Sequence, residues 1–562
     1  MKKKILFIIL SLFLCLSLSS CLGEKTDNIN YEEKDIKFTN TSNEYDIKAT
    51  SLKTYFIDGG VTPYVEYSEF FKTLDGLFDG NNMSFSRTSF FNEARMNFKL
   101  DGSFNVSSVI NWNQNVIKLT DLFALNVLKS TSATSYNKFL KSTSTRASGG
   151  SSVKLDLGKY GFEIYNCNNK CLLPLSIMNF LYCGTNYYNI YYNGIEYYGA
   201  YFLIQDNENY NNVYKNELIN KNVSLEQRTE TFNLVKFIMN YFYGLYSYYD
   251  DINEKLDSLK EEFLSTDPIV YTKAEYKFFI SYLNEMHTGI ANPGYNVNPA
   301  SINKTEFYGS SVINYKNIGT KLSNLREEYE IDSDEPSLRF YENTAIIYFT
   351  SFDTAEDSKT VDEDGNVKSD AYLYDTYYMM RKFMSDISKR SEIKNVVFDV
   401  SNNGGGNIAA LFRLMGFITN KEIAFAQYNP LNNRKIVSGY LVDILGNGNY
   451  GVDAYTNYNY FVQTSVLTYS SANIFSGLCK NLGYAKVIGQ KSGGGMCGVT
   501  PLVLPDGLSL QISGLSQLRV PVETDRGYDL LEIEKGIEVD YEIPYDDFYN
   551  GDKLVELINS IK

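Results

Sequence analysis

The sequence predicts an α/β or α+β core built on a sheet, preceded by a β-rich or α+β accessory domain. Three observations lead there. Strand-like and helix-like periods alternate through the second half of the chain. Residues 46–220 show short apolar alternations separated by turn residues. The 562 residues, 44% hydrophobic and 21% charged, are enough for several cores of about 100–200 residues each. Net charge is −15, which argues against a nucleic-acid binder, since that would need a basic face. A single histidine excludes any multi-histidine metal site, and no cofactor is implied.

At the N-terminus, Met1-Lys2-Lys3-Lys4 is followed by an apolar run from Ile5 to Leu18 and then by small residues. This reads as a cleaved signal peptide rather than a spanning helix. Leu18-Ser19-Ser20-Cys21 resembles the bacterial lipobox, which implies cleavage of residues 1–20 and acylation of Cys21. Removing those residues takes away three lysines and no acid, carrying the net charge from −15 to −18. The acyl chains alone would then hold the protein to a membrane. The expected location is the exported side of the cell envelope. Residues 21–45 are polar and read as a tether. Five cysteines remain after Cys15 and Cys21. Cys167-x3-Cys171 is a candidate bridge that the sequence does not decide.

The accessory domain is expected over 46–220. It is rich in Tyr, Asn and Ser and contains two similar stretches. One runs from Tyr55 through Pro63 to a helical pattern ending at Leu77. The other runs from Leu173-Pro174 to Asn193-Gly194. Gly149 to Ser152 is a loop between them. A second domain is expected over 221–562. Its helical start covers 221–290, with helices from Leu225, capped by Ser224, to Leu264 and from Glu275 to Met286. Its core covers 340–550. Strands are expected at Thr344–Phe349, Asn395–Val400, Tyr460–Leu467, Ala485–Ile488 and Leu502–Leu504, and Asp506-Gly507 turns the chain into Ser509–Ile512. Helices fall at about 374–390, 407–418 and 471–481.

Three places carry chemistry. Asp399-Val400-Ser401-Asn402-Asn403-Gly404-Gly405-Gly406 follows a strand and opens a helix. Its contiguous glycines bare backbone amides that suit an oxyanion. They fit neither a dinucleotide fingerprint nor a P-loop. Thr468-Tyr469-Ser470-Ser471 sits at a strand-to-helix junction, where a serine is either exposed on a bend or simply caps the helix. His287, before Thr288-Gly289, is the only histidine available as a base.

In this order, and followed by Val487-Ile488-Gly489-Gln490-Lys491-Ser492-Gly493-Gly494, these motifs resemble those of the C-terminal processing (tail-specific) serine peptidases. That group includes the tricorn protease core and the interphotoreceptor retinoid-binding repeats. The resemblance covers roughly 225–550 and implies a ClpP/crotonase-like core. It implies Ser470 as nucleophile and an oxyanion hole from the amides of Gly404, Gly405 and Ser471. The position at which the processing branch carries its lysine base falls on Gly495, with Lys491 off register. The tricorn-like branch uses the histidine, which maps to His287. That branch adds a glutamate matched by Glu534, with Glu532 the alternative register. In that branch the glutamate acts through a serine next to the histidine, where this chain has Met286. Ser401 and Asn473 replace the family's usual arginine and glutamate, and no PDZ insert is evident between His287 and Asp399. The implied function is an exported, lipid-anchored serine endopeptidase acting on proteins or peptides. The alternative is a catalytically silent relative that binds peptides or other ligands at the surface.

Overall fold

The computed structural model describes residues 28–100, 104–129, 134–204, 206–332, 335–525 and 527–561. The signal segment 1–20 and Cys21 lie outside the described residues. Among them, no helix is long and apolar enough to cross a membrane.

The expected tether 21–45 carries the strand Tyr31–Asn40, which lies inside a seven-stranded sheet. It pairs antiparallel with Ser51–Ile57 and parallel with Tyr197–Tyr201. Its composition is polar, but Ile36 and Phe38 fall two apart and both enter the core. An alternation of two apolar positions is enough to fix the inward face of a strand.

The two similar stretches are neighbours in that sheet. Strand Pro63–Glu66 and strand Lys170–Pro174 pair antiparallel, with Leu173 opposite Val65. Each runs directly into a helix, Tyr67–Thr73 or Leu175–Met178. The Asn193 side chain accepts from the amides of Ile195 and Glu196 and closes the hairpin expected at Asn193-Gly194. A separate five-stranded antiparallel sheet runs from Met83–Thr88 to Val153–Asp156. Cys167 and Cys171 are both buried, as are Cys183, Cys479 and Cys497, and no disulfide joins them.

The second half is built on a six-stranded sheet. Its order is Ser337–Tyr341, Thr344–Tyr348, Asn395–Asp399, Asn459–Thr464, Lys486–Gly489, Tyr541–Glu542. All pairs are parallel except the first. Its central strands read as continuous apolar runs because helices cover both faces. The helices Thr376–Ser388, Ile408–Met415 and Ser471–Asn481 stand close to their expected limits. A further sheet is organised around the long strand Ser509–Thr524. It contains Gly289–Asn292, Ile423–Asn429 and Arg434–Val442, with Cys497–Val503 and Gly527–Leu531 also paired on the long strand. Its edge strand, Leu140–Ser148, comes from the expected accessory region and pairs along Arg434–Val442. The two halves therefore share a sheet, and one apolar cluster runs from Ile36 to Ile537.

Ser224 caps helix Leu225–Phe242 through the amide of Gln227. The expected helix Glu275–Met286 is instead a helix over Pro268–Tyr276 and a π-helical turn over Lys277–Tyr282. The start of this region is tied to the later sheet by a buried ion cluster. Arg228 bonds Glu275 (2.9 Å) and Asp506, and stacks 3.7 Å over the Tyr271 ring. Helix Ser310–Glu328, unanticipated from the sequence, packs Gly319 against Leu467 beside the loops that form the site.

Candidate active site

The glycine loop and the serine turn both leave the carboxyl ends of adjacent parallel strands, Asn395–Asp399 and Asn459–Thr464. This is where an open α/β sheet presents its ligand-binding loops. The strand ends bring the two loops together. Tyr469 N–H donates to Asn403 O (3.1 Å), Thr468 Oγ1 to Val400 O (2.7 Å) and Ser471 Oγ to Gly406 O (2.7 Å).

Ser470 is held at φ +54°, ψ −124° and opens helix Ser471–Asn481. An L-residue in that region is strained, and the strain lifts the side chain off the helix mouth. Its side chain makes no capping bond, so plain helix capping is not what it does. Its N–H donates to Gly494 O (2.9 Å), which fixes the turn. Gly405, at φ +114°, lies directly against it. A Cβ there would stand 2.7 Å from Ser470 Cβ and 3.0 Å from the Ser471 nitrogen.

The three amides expected to form an oxyanion hole differ in their bonding. The Gly405 N–H donates to Asn403 Oδ1 (2.9 Å). Among the described residues, the amides of Gly404 and Ser471 have no acceptor. Gly405 therefore contributes close approach, while Gly404 and Ser471 hold the uncommitted donors.

His287 sits in the turn before strand Gly289–Asn292, which pairs with Ser509–Thr524. It is 6% exposed, and neither ring nitrogen has a partner. Its imidazole meets the Tyr469 ring edge to face, centroids 4.8 Å apart at 72°. It is thus next to the residue preceding Ser470 but is not hydrogen-bonded to Ser470. Burial lowers its pKa to about 4. The imidazole is therefore neutral, and able to accept a proton, at ordinary pH.

Sequence reasoning missed Glu285. Its carboxylate accepts from His287 N–H (2.6 Å), Ser513 Oγ (3.0 Å) and Thr288 Oγ1, pinning the histidine turn to the long strand. An acidic residue two positions before the histidine, in Glu285-Met286-His287-Thr288, was the available signal. Burial raises the pKa of Glu285 against the pull of these donors.

Glu534 and Glu532 face different ways. Glu532 pairs with Arg519 (2.7 Å) and accepts from the Tyr248 hydroxyl at an exposed edge. Glu534 accepts from Met496 N–H (2.8 Å) and lies within electrostatic reach of Glu285 and Tyr469. Burial, with Glu285 adding to it, pushes its carboxyl up to about 8. Near neutrality Glu534 is therefore chiefly protonated. Lys491 points outward and pairs with Glu538 (2.6 Å). At position 495 a side chain has no room: Gly495 is at φ +82°, and a Cβ would meet the Tyr469 ring at 2.5 Å.

Ser401 and Asn473, which differ from the residues that the resemblance implies, both have partners. With Ser401 in place of an arginine, Asp399 Oδ1 accepts from the Ser401 amide (2.9 Å) and hydroxyl (2.6 Å). The buried Arg326 supplies positive charge from helix Ser310–Glu328. Asn473 accepts from Ser492 Oγ (2.7 Å) and donates to Ile533 O (2.9 Å). Ser492 Oγ in turn accepts from Ile537 N–H (2.6 Å). This chain of bonds ties helix Ser471–Asn481 to the segment carrying Glu534.

Residues 343–543 match the sequence model of peptidase family S41. The matched span holds the glycine loop, Ser470 and Glu534, while Glu285 and His287 precede it. No curated protein matches the chain. Among solved structures, it is similar to a Parabacteroides merdae protein provisionally described as a peptidase: 16% identity, 61% of this chain, 98% of that one, TM-score 0.41. A lipoprotein from Streptococcus agalactiae gives 16% identity, 59% and 97%, TM-score 0.37. The tricorn protease gives 12% identity, 96% and 56%, TM-score 0.29. The family match thus falls on the segment that bears the glycine loop and Ser470.

Proposed function

We propose that the protein is a serine endopeptidase of the exported cell envelope, held to a membrane by lipid on Cys21. The observation that carries the peptidase reading is the strained, uncapped Ser470 at a helix mouth, packed on Gly405 between the free amides of Gly404 and Ser471. In this reading Ser470 Oγ attacks a peptide carbonyl while the neutral His287 takes its proton. The carbonyl oxygen becomes an oxyanion and is held by the amides of Gly404 and Ser471. Each such donor contributes about 100–1000-fold in rate. His287 then protonates the leaving amine, and water hydrolyses the acyl-enzyme. Formation of a His287–Ser470 hydrogen bond requires a movement on substrate binding, as is common for resting active sites.

Active-site labelling tests this. Residues 22–562 are treated with a fluorophosphonate probe and the adduct is mapped. Labelling confined to Ser470, and lost in Ser470→Ala and His287→Ala, is the expected result. A folded protein that takes no label would instead fit the silent, peptide-binding relative, a reading favoured by the absence of a hydrogen-bond partner on His287. Lipid attachment is checked separately by metabolic labelling with a radioactive fatty acid, which Cys21→Ser should abolish.

A further inference from the structure

Tyr469 fills the space that a side chain at position 495 would need. Its main chain is fixed on both sides, N–H to Asn403 O (3.1 Å) and C=O from Ala472 N–H (3.1 Å). Its ring rests on Gly495 and Gly493, where added Cβ atoms would stand 2.5 and 3.2 Å away. Its hydroxyl end lies toward the Met286 backbone and the carboxyls of Glu285 and Glu534. Against this fixed ring stands the His287 imidazole, edge to face at 4.8 Å.

The main chain of His287 is held by Glu285, and by Gln511 Nε2 donating to its carbonyl (2.9 Å). Its ring has no such hold, because both nitrogens lack a partner. A histidine base is ordinarily oriented by a hydrogen bond to its distal nitrogen. We propose that Tyr469 is the positioning residue for His287, its ring setting the imidazole beside Ser470 in place of a hydrogen-bonded partner. The proposal rests on the Ser470–His287 reading above. Held against the Tyr469 ring, the imidazole stays out of water, which is what keeps its pKa low; an imidazole released from that ring reaches solvent and titrates higher.

The sole histidine makes the test direct. Residues 22–562 are produced with ring-labelled histidine, so that one imidazole is seen by NMR, and His287 is titrated in the wild type, Tyr469→Phe and Tyr469→Leu. The other titratable groups around this ring pair are Glu285, Glu534, Cys497 and Tyr243. Of these, Glu534 titrates near 8, clear of the histidine range. The expected result is one sharp imidazole signal titrating below pH 5 in the wild type and in Tyr469→Phe. Tyr469→Leu, which fills volume without a ring, should raise that midpoint by at least one pH unit. It should also slow fluorophosphonate labelling at least tenfold, with the acid limb of labelling moving along with the imidazole midpoint. Tyr469→Met replaces the leucine variant if that one does not fold. A leucine or methionine variant matching the wild type in titration and labelling overturns the proposal, and so does a phenylalanine variant as impaired as leucine. If the wild type takes no label, the peptidase reading fails, and the titration arm alone decides whether Tyr469 positions the ring.

Discussion

Replacing Gly405 with alanine is expected to disable the serine while leaving the protein folded. The new Cβ would stand 2.7 Å from Ser470 Cβ and 3.0 Å from both the Ser471 nitrogen and the Tyr469 oxygen. Ordinary carbon contacts lie near 3.5–4.0 Å, so the serine turn must retreat by about 1 Å. The neighbours are backbone or Cβ atoms, and no flexible side-chain end can yield instead. A displacement of that size at a reacting atom costs about 100-fold. Misaligning the Ser471 amide, the donor proposed for the oxyanion, adds to this, so labelling of Ser470 should slow about 100–1000-fold. Stability should fall by about 1–3 kcal/mol, the cost of an L-residue at φ +114°. The assay is the second-order rate of fluorophosphonate labelling beside a urea unfolding curve. Labelling within threefold of wild type in a folded variant would refute the placement of Gly405 against the nucleophile.

Further expectations concern charge. His287 is neutral above about pH 4, so Ser470 labelling should hold from pH 8 to about 5 and fall only as pH drops through about 4; a midpoint near 6.5 would contradict its burial. The same depressed pKa means that the unfolded chain binds the extra proton first. Stability from this residue is therefore complete above about pH 6.5 and falls by on the order of 3 kcal/mol as pH drops toward 4, a loss that His287→Gln should reduce in unfolding curves. For Glu534 the sign is opposite, because its folded pKa is raised to about 8: its stabilising effect is complete below about pH 4.5 and is lost as pH rises through 8. Glu534→Gln, which mimics the protonated acid, should label within a few-fold of wild type at pH 7 and unfold with less loss of stability between pH 7 and 9. Arg326→Met should leave Asp399 as an uncompensated buried charge and cost about 3 kcal/mol in urea unfolding; an unchanged midpoint would remove Arg326 from the support of the glycine loop.

The parallel sheet was legible in the sequence because each strand is a short apolar run ended by a turn signal. Strands 395–399 and 459–464 and helix 471–481 stand within a few residues of their expected limits. The strand Leu140–Ser148 was not legible, since its residues are almost all polar. Its place is dictated by a partner nearly three hundred positions away, which no local pattern records. Helix Ser310–Glu328 was missed because its apolar residues are few and interrupted by Gly319. At the site, motif order located Ser470, the glycine loop and His287. The compensations were invisible, because Arg326, Asn473 and Tyr469 act through space, and residue type alone does not say which way a side chain turns.

The shared sheet has a consequence for how this chain comes to exist. Residues 140–148 complete a sheet whose other members are 289–292, 423–429, 434–442, 497–503, 509–524 and 527–531. During synthesis from the N-terminus, the early strand has no partner until most of the polypeptide has appeared. Closing so large a loop is slow in folding terms, and an unpaired strand is meanwhile open to wrong partners. Ser470 therefore cannot be assembled while the polypeptide is still short. A centre completed only late is idle along the way, and truncation at any point before residue 500 would leave fragments in which that sheet is unfinished.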